Sequence, residues 1–97
     1  MDPSKRALRK EIMRVLRVAG DRGTNSVFIT SALNDGGFPT TQPEVEMHLH
    51  YMSGSGKEYV TLTQLDVEGM PKRLRVVLTP RGTDLLEGNI PADPGIA

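Results

Sequence analysis

Thr41-Gln42-Pro43-Glu44-Val45-Glu46-Met47-His48-Leu49-His50-Tyr51-Met52-Ser53-Gly54 carries the strongest local start signal in the chain. Thr41 with Glu44 three residues on matches a capping box. Pro43 falls in a first turn, where a missing amide hydrogen costs nothing. Phe38, ahead of the cap, is placed to pack back as a hydrophobic staple. Val45, Leu49 and Met52 then recur at i, i+4 and i+7, the stripe of a helix with one buried face. Ser53-Gly54-Ser55-Gly56 ends that helix in a flexible turn.

Downstream the period changes from helical to alternating. Val60, Leu62 and Gln64 are expected on one face of a strand, with Tyr59, Thr61 and Thr63 on the other. Leu74, Val76 and Leu78 alternate in the same way with Arg73, Arg75 and Val77. Both runs are rich in β-formers. Asp66-Val67-Glu68-Gly69-Met70-Pro71 between them reads as the tip of a hairpin longer than a two-residue turn. Thr79-Pro80 then opens a short helix, Thr79 as cap and Pro80 as first helical residue. Leu85 and Leu86 anchor it and Gly88 ends it. Residues 89–97 hold two prolines and a glycine with almost no core material, so they are expected to form a mobile tail after a domain spanning 1–88.

Upstream, Leu8, Ile12, Val15, Leu16 and Ala19 mark one stripe of a first helix, with Pro3 in its first turn. Lys5, Arg6, Arg9, Lys10, Arg14 and Arg17 fall mostly off that stripe. Gly20 and Gly23 end it. A second helix starts after Thr24 or Asn25, either of which can cap it, and takes its apolar face from Phe28, Ile29, Ala32 and Leu33. Its β-branched Val27, Ile29 and Thr30 make it dependent on tertiary packing. Asn34-Asp35-Gly36-Gly37 stops it.

Ninety-seven residues make one domain with a modest core. With 37% hydrophobic and 25% charged residues the balance is that of a soluble globular protein. The absence of cysteine rules out disulfides, thiolate zinc sites and a cysteine nucleophile, and fits a reducing, cytoplasmic setting. No apolar run approaches membrane-spanning length, so no membrane partner is expected, and no signal peptide is read at the N-terminus. Net charge is zero, but residues 1–22 carry seven basic residues against three acids, leaving +4 there and −4 in the rest. That asymmetry fits either local contact with an anion or a solvated basic helix face.

The order helix, helix, tight turn, helix, β-hairpin, short helix resembles the winged helix-turn-helix family across residues 5–88. Val45–Met52 followed by Gly54 and Tyr59-Val60 looks like that family's third helix running into the first wing strand. Leu78-Thr79-Pro80-Arg81-Gly82-Thr83-Asp84-Leu85-Leu86 is similar to the L-T-x-x-G-x-x-L-L exit from the wing in bacterial regulators; small phage or prophage proteins of this fold are one setting for it. The resemblance implies an α+β fold, with a three-helix core, a β-hairpin wing and a short C-terminal helix. It implies duplex DNA as partner and transcription regulation as the role. A homodimer would match palindromic sites. The third helix would face the major groove with Thr40, Thr41, Gln42, Glu46, Met47 and His50, and the wing would meet phosphates with Lys72, Arg73 and Arg75. Gln42 suits adenine and Glu46 can accept from cytosine N4. Phosphate contact would come from the wing and the first helix, because the third helix holds no Lys or Arg and carries Glu44 and Glu46.

That acidic helix keeps a second class open. A protein-interaction module on the same scaffold, within a larger assembly, would use exposed apolar residues such as Met13, Met47, Tyr51, Val67 and Met70. Enzymatic activity is not expected. Ser26, Ser31, Asp35, His48 and His50 are present without a nucleophile elbow, and no glycine loop cradles a phosphate. His48 and His50 are two apart on a helix and point to nearly opposite sides, so no shared metal and no cofactor is expected.

Overall fold

The computed structural model describes residues 3–66, 68–70 and 73–96. The elements run α1 (Pro3–Ala19), a 3-10 turn (Gly20–Arg22), β1 (Thr24–Asn25), α2 (Ser26–Asp35), α3 (Gln42–Ser53), β2 (Val60–Leu65), β3 (Arg73–Leu78) and α4 (Pro80–Glu87). Each helix after the first starts at a side-chain cap. Asn25 Oδ1 accepts from Phe28 N at 2.8 Å, Thr41 Oγ1 from Glu44 N at 3.3 Å and Thr79 Oγ1 from Gly82 N at 3.1 Å. Between α2 and α3 the chain reverses at Gly37, whose φ of 87° is left-handed, and Phe38 N donates to Leu33 O at 2.8 Å. Phe38 is thereby laid, partly buried, against the core.

The sheet is antiparallel in the order β1-β3-β2. β2 and β3 pair from Val60 with Leu78 to Leu65 with Arg73, which is the hairpin read from the alternation. The third strand was not expected: Thr24 and Asn25, read only as cap candidates, also pair with Val76 and Arg75. A two-residue strand has too little length to show alternation.

Ile12, Met13 and Leu16 of α1, Ile29 of α2, Val45, Leu49 and Met52 of α3 and Val76 of β3 are fully buried together. Three expectations fail here. Met13 lies in the core, because the buried stripe of α1 is broader than the five positions counted. Phe28 is exposed, and the inner face of α2 is formed by Ser26, Ile29 and Leu33. Tyr59 is buried beside Val60, because it precedes the strand and is not bound by its alternation. At Gly82 a Cβ would overlap the Tyr59 carbonyl oxygen and crowd a Leu78 methyl, so α4 sits directly on the start of β2 only because that residue is glycine.

The C-terminal segment differs most from expectation. Asp93, Gly95 and Ile96 are buried, and Ile96 joins the core. The Asp93 carboxylate receives Tyr59 Oη at 2.8 Å, Lys57 Nζ at 2.9 Å, the Gly95 amide at 2.8 Å and Tyr51 Oη at 3.4 Å. Arg9 stacks on the Tyr51 ring 3.7 Å from its centroid and donates to Gly95 O at 3.1 Å. Proline and glycine content signals poor helix and strand formation. It says nothing about a carboxylate that finds four donors.

Candidate functional site

The outward face of α3 is set by the stripe that faces inward. With Val45, Leu49 and Met52 in the core, Gln42, Glu46 and His50 at i, i+4 and i+8 come to one outer line. The N-terminus of α2 and the hairpin stand on either side of that line. Together they enclose a cleft of about 460 Å³, with Asn25, Ser26 and Val27 from the β1–α2 junction and Gln64 and Leu74 from the hairpin. None of the described residues lining it is Lys or Arg.

Inside the cleft three side chains are tied together. Ser26 Oγ donates to Glu46 Oε1 at 3.0 Å. Gln42 Nε2 approaches the same carboxylate oxygen and Ser26 Oγ, each at 3.4 Å. Pairing of Gln42 with adenine would require its amide to turn away from these partners. Ser26 is the first residue of α2, so the positive end of that helix dipole lies beside the Glu46 carboxylate.

The other residues expected at the site divide. Thr41 is exposed and serves as the α3 cap. Thr40 is a turn residue: its amide donates to Asn34 Oδ1 at 3.2 Å and its carbonyl accepts from Asn34 Nδ2 at 3.0 Å. Met47 is half exposed and does not line the cleft. Lys72 lies outside the described residues, and Arg73 is described by its backbone alone, paired with Leu65.

Arg75 is exposed, but its guanidinium has a structural task. Nε donates to Arg22 O at 2.9 Å and an Nη to Asp21 O at 3.3 Å, fixing the turn after α1 against β3. This brings Arg22 into one recess with Arg75, bounded also by Leu65, Leu74 and Asn25. Asn25 and Leu74 belong to both concavities, so two arginines stand next to a cleft with no Lys or Arg among its described lining residues. Arg22, Ser26 and Gln64 were not legible as site residues, because each reaches the site by tertiary pairing and none belongs to a motif.

The basic face expected on α1 is partly used up by the fold. Arg9 is buried, Arg14 pairs with Glu11 and Arg17 pairs with Glu87 at 2.9 Å. Arg9 also donates from Nε to His48 Nδ1 at 3.0 Å, which makes Nδ1 the acceptor and leaves the ring proton on Nε2. His48 is fully buried; burial and then the Arg9 charge hold its pKa below the ordinary 6.5, and Glu44 opposes them. Its Nε2 lies 3.9 Å from Glu44 Oε1, an electrostatic approach longer than a hydrogen bond. His48 is thus a core residue and His50 an exposed one.

No protein-family model and no curated protein matches the chain. Among solved structures, the X-ray structure of a PadR-like transcription factor from bacteroid fragilis is similar, with a TM-score of 0.70 at 16% identity over 84% of this chain and 75% of that one. The likeness establishes the winged-helix architecture of this α+β chain. At that identity it is a statement about fold.

Proposed function

We propose that this chain binds duplex DNA as a small regulator, presenting α3 to the major groove and the recess of Arg22 and Arg75 to the phosphate backbone. The observation that carries the reading is the juxtaposition of those two surfaces. A cleft that holds Gln42, Glu46 and His50 of α3 lies next to a pair of arginines on a fold shared with a PadR-like transcription factor. Phosphate contacts position a protein on the duplex, and polar groups on the helix read base edges. Lys72 and Arg73, the other wing contacts that the resemblance implies, would add to the phosphate contacts. Two copies on a two-fold site, working in the cytoplasm, complete the proposal.

Duplex affinity should then fall steeply with salt. Arg22→Ala should weaken binding about equally on all sequences and reduce the salt slope by about one. Arg22 is the better probe than Arg75, whose removal also frees the turn after α1. Retention of full affinity and an unchanged slope in Arg22→Ala would remove this recess from the interface.

A second reading rests on its own observation. Val27, Phe28 and Met47 are each at least half exposed. Exposed apolar residues of this size on neighbouring helices suit a protein partner. Met13, expected to join that surface, is in the core and drops out. If Phe28→Ser with Met47→Ser left duplex affinity intact but abolished assembly measured by light scattering, the protein reading would gain; no change in either quantity would remove it.

A further inference from the structure

We infer that Ser26 and Glu46 form a preset acceptor that selects cytosine, with Glu46 taking a hydrogen bond from the N4 amino group and Ser26 of α2 holding it in place. This rests on the DNA reading above. Its content is that base choice at one position depends on a residue outside the reading helix.

A carboxylate beside a polyanion is normally pushed away from it, and a free glutamate side chain would swing out into solvent. Here the side chain is held. One oxygen, Oε1, is taken by the Ser26 hydroxyl at 3.0 Å and by the more distant Gln42 amide. Ser26 is buried, so the hydroxyl is fixed by its surroundings. The N-terminus of α2, the positive end of its helix dipole, lies beside that side chain. Oε2 has no partner among the described residues.

An acceptor with no proton to give discriminates among base edges by elimination. Guanine presents N7 and O6 and thymine presents O4, all acceptors that would repel it. Adenine offers the N6 amino group, but its N7 acceptor lies alongside. Cytosine offers N4 as donor without an acceptor of its own beside it in the major groove. No described Lys or Arg lines the cleft to pair with Glu46 and silence it. The arginines stand one recess away, where backbone contact would leave the carboxylate free to meet a base.

The test is selection from a random duplex library at low salt, with wild type, Glu46→Gln, Glu46→Ala and Ser26→Ala, each first checked for folding by circular dichroism. Wild type should recover sites with one strongly preferred cytosine. Both Glu46 variants should lose that preference by about fivefold or more at that position alone. Ser26→Ala should weaken the preference at that position and leave the base preferences at the other positions of the recovered sites in place, a split that a merely structural role would not produce. Sites that show no cytosine dependent on Glu46, or a Ser26→Ala variant with unaltered base preference, would overturn the inference while leaving DNA binding in place. Failure of wild type to bind any duplex would instead overturn the DNA reading, and this inference with it.

Discussion

Two polar clusters in this molecule use similar chemistry and end in opposite states. Around Asp93, four donors converge on one buried carboxylate, three of them within 2.9 Å. Around Glu46, two donors reach one oxygen of a partly exposed carboxylate, one of them at 3.4 Å. Burial raises the cost of an ionised carboxylate, yet the Gly95 amide, Lys57 and the Tyr59 hydroxyl outweigh it and hold the Asp93 pKa below its ordinary 3.8. A fully matched buried charge fixes structure, whereas a carboxylate with an oxygen to spare facing solvent is available to a partner. The difference between the two lies in what surrounds them.

The largest expected effect breaks the first cluster. Asp93→Ala should cost about 3 kcal/mol in urea denaturation, because it leaves buried donors without their acceptor. Duplex affinity of the folded protein should not change. A loss under about 0.5 kcal/mol would mean that the C-terminal segment is not held by this carboxylate. Ile96→Ala should cost about 2 kcal/mol by opening a cavity where the same segment enters the core. Gly95→Ala should follow at about 1–2 kcal/mol, since a Cβ there would overlap the Tyr51 hydroxyl and press on Arg9.

Acid should sharpen the contrast from another side. His48 takes up its proton less readily folded than unfolded, so the unfolded chain binds more protons as pH falls through 6.5. Stability should therefore be fully present above that value and decline below it, down to the folded pKa. His48→Gln should flatten this limb of the urea midpoint against pH. A second decline belongs to Asp93 and begins only as pH falls below 3.8. An unchanged profile in His48→Gln would place the acid sensitivity elsewhere. The smallest expected effect is at the second cluster: Glu46→Gln should alter stability by less than about 0.5 kcal/mol, even though it is expected to alter base choice. A larger loss would make Glu46 a structural residue like Asp93.

Much of the architecture was legible in local patterns. Thr41, Thr79 and Asn25 cap the helices they were read to cap, or were candidates to cap, and the alternation from Val60 and from Leu74 gave the hairpin pairing. The site was legible only in part. Gln42, Glu46 and His50 follow from helical spacing, so the sequence places them on one line. The resemblance points Arg75 at phosphate, and the structure adds two carbonyls of the turn after α1 as partners of its guanidinium. Arg9 was read as surface charge and lies buried between Tyr51, His48 and Gly95.

The sequence by itself determined the order of elements, their caps and most of the buried stripe, because those depend on neighbours within one or two turns of the chain. Only the tertiary structure decided the third strand, the pairing of Arg22 with Arg75, the hold of Ser26 on Glu46 and the burial of Asp93, Gly95 and Ile96. Each of these joins residues distant in sequence through hydrogen bonds to backbone or side chains. Such bonds leave no period in the sequence, since any donor that the fold brings within about 3 Å of an acceptor will serve.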